Sequence, residues 1–208
     1  GTRYTVLAEV AFDKDSDVSW DSFVRRYNAD LANDFGNLLN RSLSMTKRYR
    51  GGERSAPTSG ALADAWAATF AAYEQKLEAY LLHEALDTLW GFVGEANKYV
   101  EAEQPWVLAK AAKNGDTVAD AKLTGVLGDL LEACRVISLA AAPFMPQAAA
   151  RAADQLGVAC DYADDGNGGP RLRELAAWGA LASGGSIGAA EPLFPRLETD
   201  DVAEETGA

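Results

Sequence analysis

Apolar residues recur along this chain at steps of three and four. Leu123, Val126, Leu130, Cys134 and Ile137 form the clearest run. That spacing puts all five on one face of an α-helix and on no face of a strand. The same pattern returns in Trp66, Phe70, Tyr73 and Leu77, and again in Leu86, Leu89, Val93 and Val100. Leu31, Phe35, Leu38 and Met45 make a fourth stripe. No run alternates with the period of two that a half-buried strand needs, and no segment repeats. The expected fold is all-α: a bundle of about five main helices with an irregular C-terminal segment.

Punctuation residues set the expected boundaries. Ser19 suits an N-cap for a helix that opens at Trp20 and runs, bent or straight, to Tyr49, where Gly51 and Gly52 stop it. RGGERSAPTSG, 50 to 60, is loop by composition. The helix carrying Val100 ends ahead of Pro105, and PWVLAKAA begins a short helix with proline in its first turn. Asn114-Gly115 is a turn, and Asp116 or Thr117 caps the long helix that follows. Pro143 and Pro146 break that helix, and a fifth runs to Leu156-Gly157. YADDGNGGP reads as loop, PRLRELAAWGAL as a weak helix or turn, and GGSIGAAEPLFPRLE as extended chain. The expected division is a bundle over 19–157, a segment over 158–198 that packs back on it, and an acidic, disordered tail over 199–208.

Several chemistries lack their residues. His83 is the single histidine, which removes any paired-histidine metal site. Cys134 and Cys160 are too few and too far apart for a zinc or disulfide framework and read as small core filler. Phosphate-cradling glycine loops and nucleophile elbows are missing, and no Asp or Glu pair suggests acid–base work. No apolar run approaches the ~20 residues of a membrane span. GTRYTVLAEVAF lacks an initiator Met and a signal-peptide layout, so we expect a piece of a longer, cytoplasmic protein. The net charge of −12 argues against non-specific nucleic-acid binding. Yet Arg25, Arg26, Arg41, Lys47, Arg48 and Arg50 cluster in one stretch, while acids load the tail at Glu198, Asp200, Asp201, Glu204 and Glu205.

Within NDFGNLLNR, Asn33, Asn37 and Arg41 follow at four-residue steps, largely off the apolar stripe. On spacing alone, an amide–amide–guanidinium ladder is an ordinary solvated face. It becomes a reading head only beside a stacking surface, and Trp106 in EQPWVLAK is the candidate. Buried, that tryptophan staples its helix to the core. Exposed, it offers a flat ring beside donors and acceptors, which is how proteins take up unstacked RNA bases.

Four blocks add more than their chemistry. YNADLANDFGNLLNR (27–41), EANKYVEAEQPWVLAK (95–110), APFMPQAAARAADQLG (142–157) and PLFPRLE (192–198) occur in one order. With these spacings, residues 1 to about 198 resemble the anticodon-binding helical domain of bacterial methionyl-tRNA synthetases. The resemblance implies tRNA as partner and a class I ligase that attaches methionine to its tRNA using ATP. It assigns recognition of the anticodon's first base, a cytosine, to Asn37, Arg41 and Trp106, with Pro105 beside the tryptophan and Asn33 in support. It makes 1–18 the end of a connector from a catalytic domain, where ATP with Mg would act. The family's two-histidine motif and lysine-bearing mobile loop have no counterpart here, so this chain is expected to hold no catalytic residue, cofactor or metal. Membrane and DNA are not expected partners. Two alternatives stay open: a ligand-sensing or scaffolding bundle with no RNA role, and the anticodon domain of a sibling synthetase for cysteine, valine, leucine or isoleucine.

Overall fold

The computed structural model describes residues 2–9, 19–159 and 172–198. Cys160 and the tail over 199–208 lie outside the described residues, as do the whole YADDGNGGP loop and the second half of the connector. Among the described residues there are helices and no strands.

Helix α1, Thr2–Glu9, lies within the segment expected as connector. Its buried Tyr4 and Ala8 pack against a later helix, and the Tyr4 hydroxyl donates to Asp30 at 2.8 Å. Helix α2, Trp20–Arg26, starts at Ser19, whose hydroxyl accepts from the Ser22 amide. The chain then departs from simple α geometry. Tyr27–Gly36 is a π-helix, hydrogen-bonded five residues apart, before α3 resumes over Asn37–Arg50. A Cβ on Gly36 would lie 2.8 Å from the Leu31 carbonyl oxygen, five residues back. Only glycine lets that wide turn close so tightly. Gly51 ends α3 in the left-handed conformation, and Lys47, Arg48 and Arg50 occupy the last turn, where the helix dipole favours cations.

Helix α4 spans Ala61–Glu78 and α5 spans Leu82–Glu103. Gln104 turns left-handed, and Pro105 opens α6, Pro105–Lys113. The side chain of Asp116 accepts from the Val118 and Ala119 amides and starts α7, Thr117–Ala141. From Val126 to Ala141 α7 is buried all round, so it is the axis on which α3, α4, α5, α6 and α8 pack. Helix α8 is Pro146–Leu156, ended by left-handed Gly157.

The expected stripes are buried except at two places. Met45 and Leu77 are only half-buried, while Leu39 and Leu43, outside the expected stripe, are fully buried. The buried face of α3 runs through Leu38, Leu39, Ser42, Leu43 and Thr46, which leaves Met45 at its edge. Cys134 is buried beside the Ser42 hydroxyl, as small core filler should be. His83 lies half-buried next to Glu84.

Beyond the one-turn helix α9, Leu172–Leu175, the chain is irregular but held at many points. Buried Glu132 and Arg135 pair at 2.7 Å; Arg135 donates to the Leu175 and Ala177 carbonyls, and Glu132 accepts from the Gly179 and Ala180 amides. Trp66 donates to the Ala176 carbonyl and Trp178 to that of Thr58. Glu53 and Ser186 form an isolated antiparallel bridge. Arg151 holds the Leu193 carbonyl, and Asn28 exchanges two hydrogen bonds with the Leu197 backbone.

Candidate nucleic-acid interface

The ladder residues divide by neighbour. Asn33 and Asn37 are exposed, as is Asn40, which the four-step spacing passed over although it lies one step of three from Asn37. With Ala32 and Gly36 these three amides line one wall of a groove of about 350 Å³. Pro192, Leu193 and Phe194 line the other. Phe194 is buried against Phe35 and edge-on to Tyr27, so this wall is anchored in the core.

Arg41 leans the other way. Its guanidinium donates to Glu101 at 2.5 Å, in the last turns of α5. That bond brings Arg41 to the corner where α5 gives way to α6. Trp106 stands on that corner, 40 % exposed, with no aromatic ring against it among the described residues. Pro105 is buried. As the first residue of α6 it fixes the start of that helix and so the bearing of the neighbouring indole. Among the described residues, no hydrogen bond joins Trp106 to Asn37 or Arg41. Asn37 lines the groove walled by Pro192–Phe194, whereas neither Arg41 nor Trp106 lines it.

Charge is handled in pairs. Arg26 meets Asp30 and Asp87, Arg41 meets Glu101, and Arg50 meets Asp120. Of the clustered cations, Arg25, Lys47 and Arg48 remain exposed, with Arg48 lying over the Tyr49 ring. The basic stretch is therefore a much weaker field for polyanions than its residue count suggests. Partial burial raises the Asp34 carboxyl above the ordinary range, and the Asp30 charge adds to this. Burial and the Asp129 charge likewise raise the Tyr99 phenol, which donates to that carboxylate. Neutral-edged amides, an indole face and an Arg with a labile partner can stack and hydrogen-bond a base without relying on bulk positive charge. Among the described residues, no group of three His, Cys, Asp or Glu could hold a metal ion, and no helix is long and apolar enough to cross a membrane.

Residues 50–206 match the family described as the anticodon-binding domain of methionyl-tRNA ligase. The chain belongs to that family. Residues 1–43 match a second family description, class I tRNA synthetases of the methionine type. The methionine–tRNA ligase of Mycobacterium tuberculosis H37Rv is 36% identical over 210 residues, covering 97% of this chain and 38% of the relative. That of Fusobacterium nucleatum is 34% identical over 203 residues, covering 95% and 30%. The crystal structure of apo M. tuberculosis methionyl-tRNA synthetase superposes with a TM-score of 0.79 at 34% identity, over 94% of this chain and 38% of that one. Its form bound by methionyl-adenylate gives 0.78. The chain thus spans about a third of the length of these methionyl-tRNA ligases. Membership in the methionine family sets aside the cysteine, valine, leucine and isoleucine readings.

Proposed function

We propose that this chain reads the methionine anticodon of tRNA on behalf of a methionine–tRNA ligase. The observation that carries the reading is the exposed indole of Trp106, on the corner to which Glu101 holds Arg41. An unstacked anticodon base, the first cytosine, lies on the Trp106 ring. Asn37 offers an amide donor and acceptor to its edge, and Arg41 swings from Glu101 to supply a charged fork. Asn33 supports from the preceding turn, and Pro105 fixes the ring's bearing. Joining methionine to tRNA with ATP and Mg belongs to a catalytic domain of the same longer protein, in the cytoplasm. The residues of this chain bind and orient RNA; none activates methionine.

The test is tRNA binding by the full-length natural protein carrying Trp106→Ala. Base–aromatic stacking is worth about 1–3 kcal/mol per base, so affinity should fall by roughly five- to a hundredfold. Discrimination against altered first anticodon bases should fall with it. Unchanged affinity and discrimination would refute the site. Failure of the unaltered protein to bind tRNA at all would favour the RNA-free scaffold.

A further inference from the structure

The π segment is the unexpected element nearest the amide face, and it does not stand alone. Its turn runs past α5, which reaches across at two points. The Trp90 indole N–H donates to the Asp30 carbonyl at 3.0 Å. The Asn97 amide donates to the Asp34 carbonyl at 3.4 Å while also bonding its own helix at Val93. Asp30 and Asp34 lie about one turn apart; they bracket Asn33, and Asn37 follows three residues after Asp34, at the start of α3. The Asp30 side chain is fixed too, by the Tyr4 hydroxyl and by Arg26. Trp90 is itself braced, its ring 4.4 Å from that of Tyr4.

A π turn is wider than an α turn and leaves backbone carbonyls less well met by their own helix, so it persists only where other groups compensate. Losing even one residue of slack to α geometry rotates everything upstream by roughly 100° relative to α3. Asn33 and Asn37 straddle the end of the π segment at Gly36, so such a shift would break their alignment. The half-buried Asn28, earlier in the π segment, is instead taken up by its bonds to Leu197.

We propose that Trp90 and Asn97 are positioning residues for anticodon recognition. By holding the Asp30 and Asp34 carbonyls they keep 27–36 in its π register and so aim Asn33 and Asn37 at the RNA. The inference rests on the anticodon-reading function proposed above. Neither residue touches the base; each acts through the backbone that carries the amides. Trp90 bears the larger share, having the shorter bond and no competing acceptor.

The experiment uses the full-length natural protein with Trp90→Phe, which deletes the indole N–H but leaves an aromatic ring beside Tyr4. Asn97→Ala is the second variant. Aminoacylation is measured with tRNA transcripts carrying the methionine anticodon and single-base changes of it. Methionine-dependent ATP–pyrophosphate exchange, which needs no tRNA, is followed in parallel. Expected for Trp90→Phe is a fall in kcat/KM on the order of tenfold for the methionine anticodon, mostly through KM, with a smaller preference over altered anticodons and unchanged exchange. A lower melting temperature with the anticodon preference intact in both variants would overturn the proposal, because it would make the contacts merely structural. Trp106→Ala separates the two levels. If it abolishes the preference while Trp90→Phe does not, only the positioning role fails. If Trp106→Ala also leaves the preference intact, the anticodon reading itself fails.

Discussion

Substituting Glu132 by alanine should loosen the whole C-terminal segment. The Glu132 side chain is fully buried and meets Arg135 through two bonds of 2.7 Å. The same carboxylate accepts from the Gly179 and Ala180 amides, and the guanidinium holds the Leu175 and Ala177 carbonyls. Alanine leaves the Arg135 charge buried without a counter-ion. Breaking such a pair from one side costs about 3–5 kcal/mol, a large part of the roughly 5–15 kcal/mol that holds a typical domain together. Removing both charges together, as Glu132→Leu with Arg135→Leu, avoids the orphaned cation and should cost less than the single change, although two carbonyls lose their donor. Urea unfolding of the 208-residue chain followed by circular dichroism gives both values, and native-state hydrogen exchange should place the new protection loss at 175–181 first. A loss below about 1 kcal/mol for Glu132→Ala, or a double variant no more stable than the single, would refute the reasoning.

Other outcomes follow from single sites. Gly36→Ala forces the new Cβ against the Leu31 carbonyl and should destabilise, whereas Gly91→Ala, with open space around it, should stabilise by about 0.5–1 kcal/mol; urea midpoints of the two variants should move in opposite directions. Trp106→Phe should keep most of the tRNA affinity that Trp106→Ala loses, because a smaller ring still stacks; filter binding decides it. Glu101→Gln frees Arg41 from a mostly exposed partner, so thermal stability should change by less than about 1 kcal/mol while tRNA binding becomes more sensitive to salt. Burial pushes the Cys134 thiol up to about 12, so in a Cys160→Ser background a thiol reagent at pH 8 should label the chain only on unfolding.

The long helices were legible because their burial is one-sided or their ends are marked. Ser19, Gly51, Pro105, Asp116 and Gly157 each impose a local backbone condition that needs no knowledge of the rest of the chain. The π segment was not legible. Its register depends on Trp90 and Asn97, some sixty residues away, and apolar periodicity does not distinguish a five-residue from a four-residue hydrogen-bond step. Helix α1 escaped for a different reason: eight residues with Tyr4 and Ala8 as the buried pair give too short a stripe. At the candidate site, the exposure of the Asn33–Asn37 face followed from its place off the stripe. The exposure of Trp106, the pairing of Arg41 with Glu101, and the groove shared with Pro192–Phe194 are tertiary facts without a local signal.

The clasp between Asn28 and Leu197 joins residues 169 apart in the chain. Phe194 fills the core beside Phe35 in the same region. A ribosome adds residues from the N-terminus onward at about 5–20 per second, so the amide-bearing helix emerges roughly 8–30 seconds before the piece that walls its groove. Until Phe194 arrives, Phe35 lacks part of its cover. The nascent domain therefore passes through a stage with most of its helices made and its RNA-facing groove still open to wrong contacts. A genetic lesion that stops synthesis near residue 190 would leave that stage permanent, producing a protein that looks nearly complete by helix content and yet never acquires a finished surface.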